Sequence, residues 1–191
     1  MDQINRAHSG VRGKGMLCTA AIWLCLLPVV QAQSGARPPA EAPEYAVKAA
    51  FLLNFTRFVQ WPPDAFEEAG SPFAICILGD DPFGSTLDQL LKGEQVGGRR
   101  IVVRRLSHPP PPKSCQILYV GDSERSLPTL FDGLGRGVLT VGEQPGFCRD
   151  GGIIGFAIED RHVRFDINRE AAANAGLQLS ARLLRVARFV R

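Results

Sequence analysis

Phe73-Ala74-Ile75-Cys76-Ile77-Leu78 is an unbroken apolar run of strand length, closed by Gly79-Asp80-Asp81-Pro82. Apolar residues at both odd and even positions leave neither face of such a strand for water. It therefore needs covering on both sides of its sheet, which restricts the chain to α/β layer architectures. Downstream, Gly79-Asp80 is expected to turn the chain, with Asp81 as N-cap and Pro82 in the first position of a helix. Phe83, Leu87, Leu90 and Leu91 then recur at helical spacing until Gly93.

The rest of the chain continues in the same grammar. Strands are expected over Ile101–Leu106, Cys115–Val120 and Val138–Val141, with a Gly97-Gly98 turn before the first. Pro109–Pro112 forces an extended connection between the first two. Leu127, Leu130, Phe131 and Leu134 give a short helix. Ile154, Phe156 and Ile158, then Val163, Phe165 and Ile167, alternate on either side of Glu159-Asp160-Arg161, the pattern of an antiparallel hairpin with one buried face. Asn168 is expected to cap a short helix ending at Gly176, and Ser180 a terminal helix carrying Leu183, Val186 and Val190. The fold expected is a single α/β domain: a mixed sheet of about six strands flanked by helices, with a C-terminal hairpin and terminal helix.

The N-terminal end follows different rules. Arg6, Arg12 and Lys14 precede an apolar run from Met16 to Val30, and Val30-Gln31-Ala32 presents small residues where a signal peptidase reads. The run is shorter than the about 20 residues of a membrane-spanning helix, so 1–32 is expected to be a signal peptide cut after Ala32. Cys18 and Cys25 lie within the run, so no lipid anchor is expected and the mature chain should be free in the periplasm. Residues 33–44, rich in Pro, Ala, Ser and Gly, read as a disordered leader to a domain at 45–191. The full chain carries a formal charge of +3. Trimming removes Arg6, Arg12, Lys14 and Asp2, and the nearly neutral domain that remains has no electrostatic footprint for nucleic acid.

Val47–Trp61 is expected to be a helix, stopped by Pro62 and Pro63. It is apolar nearly all round, with Val47, Phe51, Phe55 and Phe58 on one face and Asn54 and Arg57 as polar intrusions. That is more apolar surface than one packing face uses, so Phe51 and Phe58 are candidate partner-binding residues, for another protein or for a homodimer.

Catalytic chemistry is not legible. Gly79, Asp80 and Gly121 lie at the carboxyl ends of expected strands, where α/β sheets bind ligands, and form a candidate small-molecule site. They lack dinucleotide-fingerprint and phosphate-loop spacing. Asp80, Asp81 and Asp122 have no geometry fixing them as a metal set. His108 and His162 read as surface residues without ligands at metal spacing. No Gly-x-Ser-x-Gly elbow occurs. Of the cysteines past the leader, Cys76, Cys115 and Cys148, one bridge and one free thiol is the simplest arrangement. Cys148 reads as a surface thiol beside Arg149. Arg182, Arg185, Arg188 and Arg191 step by three along the expected terminal helix, where they would complement its dipole. The chain is therefore expected to be neither an enzyme nor a holder of a metal or cofactor.

Several segments together resemble the YfiR/HmsC-like family: Lys48-Ala49-Ala50-Phe51-Leu52-Leu53-Asn54-Phe55 followed by Phe58-Val59 and Trp61-Pro62; Ile77-Leu78-Gly79-Asp80-Asp81-Pro82-Phe83-Gly84; Val138-Leu139-Thr140-Val141-Gly142; Gly151-Gly152-Ile153-Ile154; Val163-Arg164-Phe165-Asp166-Ile167-Asn168; and Leu183-Leu184-Arg185-Val186-Ala187-Arg188. The resemblance implies a periplasmic regulator that binds the periplasmic sensor region of an inner-membrane diguanylate cyclase and holds it inactive. It further implies relief by an outer-membrane, peptidoglycan-associated lipoprotein that sequesters the regulator. Some members carry a cysteine at the position of Gly155, and a second bridge is absent in this chain. Since Cys76 and Cys115 fall on neighbouring core strands, they are expected to form the bridge, leaving Cys148 free.

Overall fold

The computed structural model describes residues 41–191. The expected signal peptide, and the expected leader up to residue 40, lie outside the described residues. Helix α1 (Glu41–Phe58) already runs through 41–44, the end of the stretch expected as leader. It passes directly into strand β1 (Val59–Gln60), and a single 3₁₀ turn follows at Pro63–Ala65.

Strand β2 (Phe73–Leu78) is buried at every position. Beyond it come α2 (Ser85–Leu91), β3 (Gln95–Val96), β4 (Arg99–Leu106), β5 (Ile117–Val120), α3 (Leu127–Leu134), β6 (Leu139–Gly142), β7 (Ile154–Glu159), β8 (His162–Ile167), α4 (Arg169–Asn174), β9 (Gln178–Leu179) and α5 (Ala181–Val186). The main sheet is seven-stranded, in the order β3-β4-β2-β5-β6-β7-β8. Strands β4, β2, β5, β6 and β7 run parallel, with an antiparallel partner at each end. The fold is thus the expected α/β mixed sheet with its C-terminal hairpin and helix. The added strand, β3, is too short to show any periodicity.

Alternation along β2 sorts its side chains into two cores. Phe73, Ile75 and Ile77 face α1 and α2 together with Ile117, Tyr119, Leu139 and Val141. Ala74, Cys76 and Leu78 face α3 through Leu118, Val120, Leu127, Leu130 and Leu134. Each such aliphatic side chain taken out of water contributes about 1.5–3 kcal/mol. On the α3 side a disulfide joins Cys76 to Cys115, with Cα atoms 5.9 Å apart. Next to it the buried Gln116 amide spans three segments: it accepts from Ala74 N–H at 2.8 Å and donates to the carbonyls of Ala65 at 2.7 Å and Lys113 at 3.3 Å.

Two local expectations are corrected. Asp81 does not cap a helix beginning at Pro82. Its carboxylate accepts from Phe83 N–H at 2.8 Å and Gly84 N–H at 3.1 Å, making a turn of its own, and the helix begins at Ser85 after Gly84 at φ 51°. Arg105 of β4 locks this turn by donating to Asp81 at 2.7 Å and to the Gly84 carbonyl at 2.8 Å. Nor does the terminal helix reach Val190. It stops at Val186, and the tail runs extended along β8, with Ile167 N–H donating to Phe189 O and Arg191 N–H to Ile167 O. Arg188 and Arg191 therefore leave the helical sweep, and Arg188 clamps Asp166 with two bonds of 2.8 and 2.7 Å. The caps expected at Asn168 and Ser180 are in place: each side chain accepts from the backbone N–H three residues on, Ala171 and Leu183.

Candidate partner-binding surface

The end of α1 and the start of α5 are tied together by backbone. Val59 pairs with Leu179 and Gln60 with Gln178 in the small β1–β9 sheet. Ser180 N–H donates to Phe58 O at 2.9 Å, and the Ser180 hydroxyl then caps α5. Phe55 sits fully buried between Phe156 and Phe165, with ring centroids 6.1 and 5.4 Å away. Phe51 is half-buried and meets the Phe165 ring edge-on at 5.4 Å.

Between the two helices lies an apolar groove of ≈170 Å³. Phe165 and Leu183 are buried at its base, while Phe51 and Phe58 form its α1 wall and Val186 and Arg182 its α5 side. Val186 is 54% exposed. The two candidate partner-binding phenylalanines thus line one groove, each partly buried and partly open.

A second feature sits nearer the start of α1. Lys48 is only 1% exposed, yet it is charged. Its ammonium donates to Glu44 and Glu143, and it lies 4.4 Å from the centre of the Tyr45 ring. Glu143 also accepts from the hydroxyls of Tyr45, at 2.9 Å, and Tyr119. Burial works to raise the Glu143 pKa, but the bonds from Lys48 and Tyr119 outweigh it and hold the carboxyl below its ordinary range. Burial, then the Glu143 charge, push the Tyr119 phenol well above its usual value. The network fastens α1 over the carboxyl ends of β5 and β6. Sequence reasoning passed over it. The available signal was a lysine within a helix otherwise nearly all apolar, since such a charge is buried only with a partner.

Gly79, Asp80 and Gly121 do come together at the strand ends. Gly121 N–H donates to Leu78 O at 2.9 Å, and Asp80 N–H to the Ser123 hydroxyl at 3.3 Å. A Cβ on Gly121 would lie 2.6 Å from Asp80 O, and one on Gly79 2.5 Å from Ser123 Oγ. The space beside both glycines is filled by the chain's own groups. Among the described residues, no group of three or more His, Cys, Asp or Glu is placed to hold a metal ion. His108 and His162 are exposed.

Cys148 is not a surface thiol. It is 8% exposed, and its S–H donates to the carbonyls of Ile153 at 3.7 Å and Asp166 at 3.6 Å. Burial first, and the Asp166 charge second, push its pKa up to about 11. The neighbouring Arg149 does not activate it, because the backbone turns the thiol inward while the guanidinium lies across Gly146. Cys148 borders a cleft of ≈680 Å³ whose other lining residues include Gly155 and Ala157 of β7 and the 188–191 tail. A Cβ on Gly155 would stand 3.2 Å from the Cys148 sulfur.

Among the described residues, no helix is long and apolar enough to cross a membrane. No curated protein matches the chain. The YfiR/HmsC-like family model matches residues 45–188, from the tyrosine bonded to Glu143 to the arginine that clamps Asp166, and the chain belongs to that family.

Proposed function

We propose that this protein is exported to the periplasm, where it binds the sensor region of an inner-membrane diguanylate cyclase and holds the enzyme inactive, lowering cyclic di-GMP and biofilm formation. The family is one of periplasmic regulators of cyclic di-GMP signalling, regulatory rather than catalytic. The observation that carries the reading is the α1–α5 groove, an apolar surface left open between two helices and walled by the half-buried Phe51 and Phe58. An outer-membrane, peptidoglycan-associated lipoprotein that sequesters the protein would relieve the repression. The strand-end ligand site has no comparable support, because the Asp80 backbone and the Ser123 hydroxyl occupy the space beside Gly121 and Gly79.

A binding protein silences an enzyme only by preferring its inactive state. Moving a population from mostly active to mostly inactive takes about 5.5 kcal/mol of differential affinity. Cyclic di-GMP measured with and without the gene, in strains with and without the cyclase, tests the reading. Deletion should raise cyclic di-GMP only where the cyclase is present. A rise that persists in the cyclase-free strain places the action elsewhere.

A further inference from the structure

The charges around the α1–α5 groove are not balanced. Arg57, on the outer side of α1, is paired with Glu94 at 3.3 Å, and Arg188 is committed to Asp166. Arg182 and Arg185 are exposed on α5 and form no ion pair among the described residues. Asn54, the other polar group at the groove, carries no charge. The apolar groove therefore has one uncompensated guanidinium group in its lining, that of Arg182, with the unpaired Arg185 exposed on the same helix and no carboxylate among the lining residues.

We propose that this groove docks an acidic, apolar-anchored segment of a partner protein. One large aliphatic or aromatic side chain enters beside Phe51 and Phe58, and carboxylates adjacent to it pair with Arg182 and Arg185. The volume of ≈170 Å³ suits a side-chain anchor, since sites for drug-sized ligands run from about 300 to 1,000 Å³. Arg182 in the lining and Arg185 beside it on α5 also fall short of the clusters of about 4–8 basic residues that hold proteins on anionic membranes. Guanidinium groups match carboxylates with two parallel bonds, which fixes register as well as sign. The proposal deepens the partner-binding reading by giving the partner's chemistry, without depending on the partner being a cyclase.

The test uses the exported protein and two synthetic amphipathic helical peptides with the same leucine and phenylalanine face. One carries glutamates beside that face, the other lysines. Titration followed by NMR of the labelled protein should shift the signals of Phe51, Phe58 and Val186, with the glutamate peptide binding roughly tenfold more tightly. Arg182→Glu combined with Arg185→Glu, both at exposed positions, should invert that preference and leave the unfolding temperature unchanged. Equal binding of the two peptides, shifts confined to another face, or uptake of the protein by anionic vesicles in place of the glutamate peptide would overturn the proposal. A peptide preference together with unchanged cyclic di-GMP in the deletion strain supports the groove and removes the cyclase reading. A cyclase-dependent rise with no peptide preference does the reverse.

Discussion

Lys48 and Glu143 form a pair in which removing one partner is far worse than never having had either. Deleting one member of a buried pair leaves an uncompensated charge, at a cost of about 3–5 kcal/mol. Glu143→Ala should fall at the lower end, about 3 kcal/mol, because Glu44 still meets the Lys48 ammonium; urea unfolding with an unchanged slope would check it. The same carboxyl makes stability depend on pH. Its folded pKa lies below the ordinary value of 4.5, so its contribution is fully present above that value and is lost as pH falls through the folded pKa. Glu143→Gln should flatten this acid limb in unfolding curves taken below about pH 4.5; an acid limb as steep as that of the unmodified protein would show that other carboxylates govern it. Position 155 offers a second single-residue test. Gly155 does not have a left-handed φ, and its Cβ would stand 3.2 Å from the Cys148 sulfur. Gly155→Cys should therefore close a bridge with Cys148, leaving no alkylatable thiol in protein unfolded without reductant. Two labelled thiols would show that the strand does not allow the bridge.

At the level of elements, burial separates the two roles of the helices. Phe55 packs between two rings and belongs to the core, so Phe55→Ala should cost about 3–5 kcal/mol. Val186 stands at the open side of the groove, so Val186→Glu should change stability by no more than about 0.5 kcal/mol while weakening partner capture. Thermal unfolding and binding to the cyclase sensor region, measured on both variants, would separate core from surface. Elements whose causes are local were legible in the sequence. The apolar run of β2, the spacing of α3 and the caps at Asn168 and Ser180 each lie within a few residues of their own signal. Elements held from a distance were not. Asp81 satisfies every local rule for a cap, yet Arg105 from β4 fixes it in a turn. The tail after Val186 keeps helical spacing of its apolar residues, but hydrogen bonds to β8 draw it out. The candidate surface was half legible: the excess apolar face of α1 showed in Phe51 and Phe58, whereas the α5 wall needed the β1–β9 pairing, between strands too short to show a period. Lys48 met its partner Glu143 only across 95 positions of sequence.

The whole molecule links its covalent chemistry to its compartment. The Cys76–Cys115 bridge joins β2 to the entrance of β5 across 39 positions, and closing a loop of that length stabilises a domain by about 4 kcal/mol in the chain-entropy model. Such a bond persists in an oxidising space and is rare in a reducing one. Under the proposed function, a chain lacking residues 1–32 should suffer two distinct losses: access to the sensor region, and the bridge. The exported Cys76→Ala/Cys115→Ala variant separates them. It should unfold at a lower temperature and accumulate less, yet still lower cyclic di-GMP in proportion to the folded protein present. The leaderless chain, with its cysteines intact, should leave cyclic di-GMP at the deletion level however much is made. Repression by the leaderless chain would mean that the protein acts from the cytoplasmic side. Loss of repression by the exported variant at matched folded amounts would instead make the bridge part of the binding surface. With the bridge buried on the α3 side of the sheet and the groove on the side of α1, the expected result is repression that tracks folded protein and export, with no further dependence on the bridge.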